Sequence, residues 1–104
     1  MQMHQIRYFL AICEERNFTR AAKRNGVTQP SMTNAILVLE QELGGELFRR
    51  RPRVSLTTLG LLVHPYLKEI ADNADRVLAA ARALTDTSAT RSEAVVVSQP
   101  AIPS

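Results

Sequence analysis

The stretch TQPSMTNAILVLEQELG, Thr28 to Gly44, decides how this chain must be built. Thr28 is a helix cap, and Pro30 suits a first helical turn, where its missing N–H leaves no bond unmade. Met32, Ile36, Leu39 and Leu43 follow at spacings of 4, 3 and 4, the pattern of one buried stripe. At about 100° per residue, Pro30, Asn34, Leu37 and Gln41 lie nearly opposite that stripe. Thr33 flanks them, and Gln29 stands at the exposed N-terminal end. One side of this helix packs down. The other presents small polar groups in its first two turns, which a core has no use for and a partner molecule does.

Upstream, Ile6, Phe9, Leu10 and Cys13 follow i, i+3, i+4, i+7 and predict a first helix over roughly residues 4–16. No capping box is legible at its start. Asn17 or Thr19 then caps a short second helix, whose adjacent Ala21 and Ala22 let another helix approach closely. Asn25–Gly26 stops it, since both residues tolerate the left-handed conformation. Val27 is a single apolar plug in the turn. Cys13, on the apolar stripe, reads as a small core residue.

Downstream, Gly44–Gly45 ends the third helix. ELFRRRPRVSL then alternates Phe48 and Arg50, Val54 and Leu56 around Arg51–Pro52–Arg53, which predicts a two-stranded hairpin with an arginine and proline tip. Thr57 or Thr58 caps a long helix running to about Leu84. Val63, Leu67, Ile70, Ala74, Val77, Ala81 and Leu84, spaced 4, 3, 4, 3, 4, 3, form a heptad seam. That seam either pairs two subunits or packs back on its own domain. Pro65 predicts a kink or an irregular first turn. TDTSATRSE, residues 85–93, reads as a polar linker, and AVVV, residues 94–97, as a strand with no sheet to join. The sequence thus reads as stopping inside a following domain.

With 104 residues, the chain reads as one domain with an appendage. A composition 45% hydrophobic and 22% charged fits a soluble globular protein. No apolar run approaches the ~20 residues of a membrane span, and no signal peptide is legible. One cysteine excludes an internal disulfide and fits a cytoplasmic setting. Residues 1–57 carry nine Lys/Arg against five Glu, whereas residues 58–104 carry four basic against five acidic residues. Positive charge concentrated in the first half points to a polyanion. His4 and His64 have no Cys or carboxylate at ligand spacing, so no metal site is expected. No nucleophile–base pair or phosphate-cradling glycine loop suggests an enzyme.

Helix, short helix, turn, helix and hairpin is the order of a winged helix-turn-helix. A DNA major groove about 12 Å wide admits one helix by its N-terminal turns. Gln and Asn can pair with adenine's groove edge, and a cationic hairpin tip suits the minor groove or the phosphates beside it. The rival expectation is a protein-interaction module that reuses this fold, pairs through residues 63–84 and leaves DNA alone.

The match then becomes specific. RYF near the start, F-T-R-A-A, V-T-Q-P-S, I-x-x-L-E-x-E-L-G, L-F-x-R and L-T-x-x-G keep their mutual spacing over about 55 residues. In this the chain resembles the N-terminal domain of the LysR-type transcriptional regulators. The resemblance implies a mainly α fold, with three helices plus a two-stranded wing followed by a long dimerisation/linker helix. It implies a DNA-binding domain over 1–58, with its helix-turn-helix near 18–37 and its wing near 47–57. A linker helix over 58–87 and a hinge with the start of an effector-binding domain over 88–104 would follow. The family's base-reading positions fall on Gln29, Pro30, Ser31, Thr33 and Asn34, and its wing contacts on Arg50, Arg51, Pro52 and Arg53. Partners would be double-stranded promoter DNA with a two-fold related site and a second copy of the chain, or a tetramer at full length. The localisation would be cytoplasmic, at the nucleoid. No cofactor is expected in this chain, because the family's small-molecule effector binds a further C-terminal domain. Three positions depart from the pattern: Asn25 where an apolar residue, often Leu, is usual, Leu37 where Arg or Lys is frequent, and Ala35 where Gln is frequent.

Overall fold

The computed structural model describes residues 1–89, with side chains through residue 86. The elements are α1 (Met3–Glu15), α2 (Phe18–Arg24), α3 (Gln29–Leu43), β1 (Phe48–Arg49), β2 (Ser55–Leu56) and α4 (Thr58–Ala89). The fold is mainly helical, with a small antiparallel wing.

Each boundary has a local cause. At the start of α1, Gln5 reaches back, and its Oε1 accepts the Gln2 backbone N–H at 2.9 Å. A reciprocal cap of this kind was not expected, because Gln2 is not a Ser, Thr, Asp or Asn; the second Gln supplies the acceptor. Arg16 closes α1 in the left-handed region at φ 53°. Asn17, rather than Thr19, caps α2, its Oδ1 accepting from the Arg20 N–H at 2.8 Å. Of the Asn25–Gly26 pair only Gly26 is left-handed (φ 67°); Asn25 stays at φ −93°. Asn25 instead donates its side-chain amide to the Ala21 carbonyl at 2.9 Å, filling a helix-end acceptor. Thr28 caps α3 by accepting the Ser31 N–H at 3.2 Å, and Gly44 ends it at φ 88°.

The wing is shorter than the alternation suggested. Phe48 pairs with Leu56 and Arg49 with Ser55, and residues 50–54 form the connection, with a cis Arg51–Pro52 peptide. The backbone of Leu47 fastens the wing to its neighbours on both sides. Its N–H donates to Glu40 Oε2 on α3 at 2.7 Å, and its carbonyl accepts the Thr57 N–H at 3.0 Å. Thr57 in turn caps α4, accepting the Gly60 N–H at 3.0 Å. A Cβ at Gly60 would collide with the Leu47 carbonyl oxygen and stand 2.8 Å from Leu56 Cδ2. Glu40 and Gly60, both residues of the sequence motifs, therefore act on the backbone of the same residue.

Two compact units divide the chain at Ala74. In the first, Ile6, Phe9 and Ile12 of α1, Ala21 and Ala22 of α2, and Met32, Ile36 and Leu39 of α3 form one core with Leu47 and Phe48. Full burial of one such large side chain stabilises by about 1.5–3 kcal/mol. Phe48 sits between two rings, 5.3 Å from Phe9 and 5.6 Å from Phe18. Leu67 and Ala71 of α4 also belong to this core, and Val63 packs against it.

That last point corrects the heptad reading. Leu67, expected on a seam outside the domain, is only 3% exposed within it. Leu67 and Ala71, four apart, lie on the covered face, whereas the i+7 series Val63, Ile70, Val77 and Leu84 drifts away from it, with Val63 at the border. A straight helix drifts about 20° per heptad, so one a/d pattern spans two faces. α4 runs unbroken through Pro65, with no irregular first turn, and continues to Ala89. Residues 85–89, expected in a linker, are thus helical. No Gly or Pro interrupts the chain there, and Thr85 bonds back to the Ala81 carbonyl at 2.8 Å. The remaining linker and the strand expected at residues 94–97 lie outside the described residues. In the second unit, Val77 and Leu84 are 67% and 62% exposed. Among the described residues no helix is long and apolar enough to cross a membrane.

Candidate nucleic-acid interface

The first two turns of α3 carry the polar face. Gln29, Pro30, Ser31 and Asn34 are exposed, and Thr33 is half-buried. They stand out because Met32, Ala35 and Ile36 are buried on the other side. The frequent glutamine of position 35 is here a buried alanine, which lines a surface cleft between α1 and α3 with Tyr8, Ser31 and Asn34. Ser31 is held at the cap, its hydroxyl accepting from Thr28 Oγ1 at 2.9 Å. Gln29 is held from α2, where Thr19 Oγ1 donates to its Oε1 at 3.0 Å.

The wing and α3 meet in one cleft of about 520 Å³. Thr33 and Leu37 line it from α3, Arg49, Arg50 and Arg51 from the wing, and Phe18 from α2. Leu37, exposed at the position where a cation is frequent, gives this wall an apolar spot. Arg50 does not reach freely outward: its guanidinium lies 4.3 Å from the centroid of the Phe18 ring. Such stacking holds a cation against the domain while leaving its N–H groups available. Arg53 points elsewhere, lining a second cleft of about 630 Å³ with Ile12, Cys13, Arg16, Val54 and Leu56. The nine sequence-predicted positions therefore do not all converge. Gln29 to Asn34 share the start of α3, Thr33 joins Arg50 and Arg51, and Arg53 lines a separate cleft with residues of α1.

Two carboxylates, Glu40 and Glu46, also line the α3–wing cleft, but neither pairs with its arginines. Among the described residues Arg16, Arg20, Lys23, Arg49, Arg51 and Arg53 form no ion pair. Arg24 differs: Glu14 takes its NH1 at 2.6 Å, and that hydrogen bond raises its pKa further above the ordinary range. Cys13 is chemically quiet. Burial, then the charge of Glu14, pushes its thiol up to about 12 from an ordinary 9.0. No group of three or more metal-ligating side chains occurs among the described residues.

Four residues escaped the sequence reading. Phe18 and Thr19 lay inside a quoted motif, but their contacts join residues far apart in sequence and leave no periodic trace. Leu62 and Tyr66, each 63% exposed, were passed over for Val63 and Leu67, one position further on. On a helical wheel Tyr66 lies about 40° from Ile70, whereas Leu62, about 80° away, leaves no such trace.

Three helices, a capped and polar α3 and a wing locked beside it are now located, and comparison with known proteins places them in a family. The family model for the bacterial regulatory helix-turn-helix protein, lysR family, matches residues 3–61. The chain belongs to the LysR family. It is 41% identical over 85 residues to the HTH-type transcriptional regulator BudR of Klebsiella aerogenes, covering 81% of this chain and 59% of BudR. It is 41% identical over 87 residues to IlvR of Caulobacter vibrioides, covering 83% of this chain and 29% of IlvR. The chain thus spans less than two thirds of the length of these relatives. Among solved structures, the BenM DNA-binding domain in complex with catB site 1 DNA superposes with a TM-score of 0.77 at 31% identity. That match covers 82% of this chain and 97% of the other. The CbnR DNA-binding domain–DNA complex gives 0.74 at 35% identity, covering 82% and 99%. This LysR-family chain therefore shares its fold with regulatory DNA-binding domains, which are not enzymes.

Proposed function

We propose that this LysR-family chain binds double-stranded promoter DNA sequence-specifically, with the start of α3 in the major groove and the wing arginines on the adjacent backbone or minor groove. The observation that carries this reading is the juxtaposition of Thr33 with Arg50 and Arg51 across one cleft, beside an exposed run of Gln29, Pro30, Ser31 and Asn34. Polar groups that can pair with base edges stand next to unpaired cations that can neutralise phosphates. Arg53 and Pro52 would contact the adjacent backbone. That BenM and CbnR domains of the same fold are found in DNA complexes supports the reading.

The binding unit is a homodimer, or a tetramer at full length, that reads two half-sites related by two-fold symmetry. Pairing uses the exposed apolar face of α4, with Ile70, Val77, Ala81 and Leu84 joined by Leu62 and Tyr66; Ala74 flanks it, and Val63 and Leu67 support it from the core side. The chain works in the cytoplasm, at the nucleoid, without a cofactor of its own, and a small-molecule effector acts through a domain beyond residue 89.

The test is fluorescence anisotropy on a duplex enriched by the chain from a random pool, against a scrambled duplex, at two salt concentrations. Asn34→Ala should reduce discrimination by roughly 1–3 kcal/mol, the worth of one good base contact. Wild-type protein that binds no duplex at low salt, or binds both equally, would leave the protein-interaction reading in its place.

A further inference from the structure

We infer that Thr19, on α2, is a positioning residue for base reading: it holds the Gln29 side chain in its reading conformation through the 3.0 Å bond from Thr19 Oγ1 to Gln29 Oε1. The inference rests on the reading of Gln29 as a base contact.

The two residues are ten apart and sit on different helices of the helix-turn-helix. Gln29 is the first residue of α3, so the Thr28 cap fixes its backbone. Its side chain, exposed and with three rotatable bonds, would otherwise sample many rotamers. Thr19 can restrain it because a β-branched residue in a helix has few χ1 choices, so the direction of its hydroxyl is itself limited. With the backbone fixed by α3 and the amide by α2, Gln29 is held at both ends before any ligand arrives.

The chemistry left over is what an adenine edge needs. Thr19 occupies one lone pair of Oε1. The second lone pair and both Nε2 hydrogens remain. Adenine presents an N7 acceptor and an N6 donor in the major groove, and a glutamine amide in this state meets both. Immobilising a rotamer-rich side chain on binding costs a factor of roughly 2 to 10 in affinity, which Thr19 removes by restraining it in advance. A scrambled duplex does not engage Gln29, so this gain belongs to the cognate site alone. Thr19 thereby acts on specificity without touching a base.

The experiment compares wild type, Thr19→Val, Thr19→Ser, Gln29→Ala and Thr19→Val with Gln29→Ala on the enriched and scrambled duplexes, with thermal melts in parallel. Valine keeps the branched shape and removes the hydroxyl; serine keeps the hydroxyl. Thr19→Val should lower the specificity ratio by roughly 2- to 10-fold, with unchanged salt dependence and melting temperature. Thr19→Ser should retain most of the ratio, and Thr19→Val should add nothing in the Gln29→Ala background. If Gln29→Ala lowers the ratio while Thr19→Val does not, the inference fails and the base-reading assignment stands. An equal Thr19→Val loss with and without Gln29 would make Thr19 a direct contact and overturn the inference. Equal loss on both duplexes with a lowered melting temperature would assign Thr19 to the fold alone. If Gln29→Ala leaves the ratio unchanged, the assignment of Gln29 falls and takes the inference with it.

Discussion

Helices α3 and α4 carry similar apolar repeats and meet different fates. In α3 the stripe Met32, Ile36 and Leu39 is covered throughout by the domain's own core. In α4 the same kind of pattern is covered only as far as Leu67 and Ala71, while Ile70, Val77 and Leu84 face outward. Periodicity therefore reports that a face is meant to be covered. It does not report by what. Along the end of α4 the described residues supply no cover, and exposed apolar faces of that kind are where partners are sought.

Breaking that contrast begins in the core. Leu39→Ala in α3 and Leu67→Ala in α4 should each cost roughly 2–5 kcal/mol in urea unfolding, independent of protein concentration. Val77→Ala should barely change the stability of the monomer. A Leu67→Ala variant as stable as wild type would return Leu67 to the pairing seam.

A smaller effect on folding, but a decisive one for assembly, is expected from Ile70→Asp with Val77→Asp. These should give monomers by sedimentation with helix content retained by circular dichroism, and binding to a palindromic duplex should fall to about that of a half-site. Wild-type protein that sediments as a monomer at tens of micromolar would leave the outer face of α4 without this role.

The third comparison sets the wing against α3. Replacing Arg51 and Arg53 with Ala should flatten the salt dependence of binding by up to about two units, at about 0.9 per phosphate neutralised. Leu37→Lys should steepen it by up to about one unit. Because Arg51 and Arg53 line different clefts, the single variants should differ if only one cleft meets DNA. An unchanged slope in the double variant would place the wing away from the nucleic acid.

The smallest effect is chemical. With its pKa pushed up to about 12, the Cys13 thiol stays protonated through neutral pH, and only its deprotonated form is a good nucleophile. Iodoacetamide should modify it slowly in the folded chain and readily in urea, and the folded-state rate should keep rising with pH beyond 9. Rapid labelling at pH 7 would show that α1 opens.

Much of this was legible in the residues. Thr28, Pro30 and Gly44 announce α3, and the arginine–proline tip announces the hairpin, because caps, turns and stripes are local and leave a pattern within one element. The site was legible as far as it is carried by outward positions on one helix. What escaped depends on phase and on distance. The α4 repeat fits both 3.5 and 3.6 residues per turn over so few turns, so the sequence alone could not separate the Leu67 face from the Ile70 face. The divergence of Arg51 from Arg53 hangs on the path of residues 50–54. The Thr19–Gln29 and Arg50–Phe18 contacts join elements whose approach is set by the whole core.

The fastening of Leu47 has a consequence for how such a protein can change over generations. Glu40 and Thr57 grip Leu47 through its backbone, and Gly60 makes room for its carbonyl. None of these three contacts involves the residues at the hairpin tip. Arg51, Pro52 and Arg53 can therefore be exchanged without loosening the frame that presents them. Mutation is free to redraw the wing's contacts, and with them the set of sites a descendant would occupy, while the scaffold is inherited unaltered.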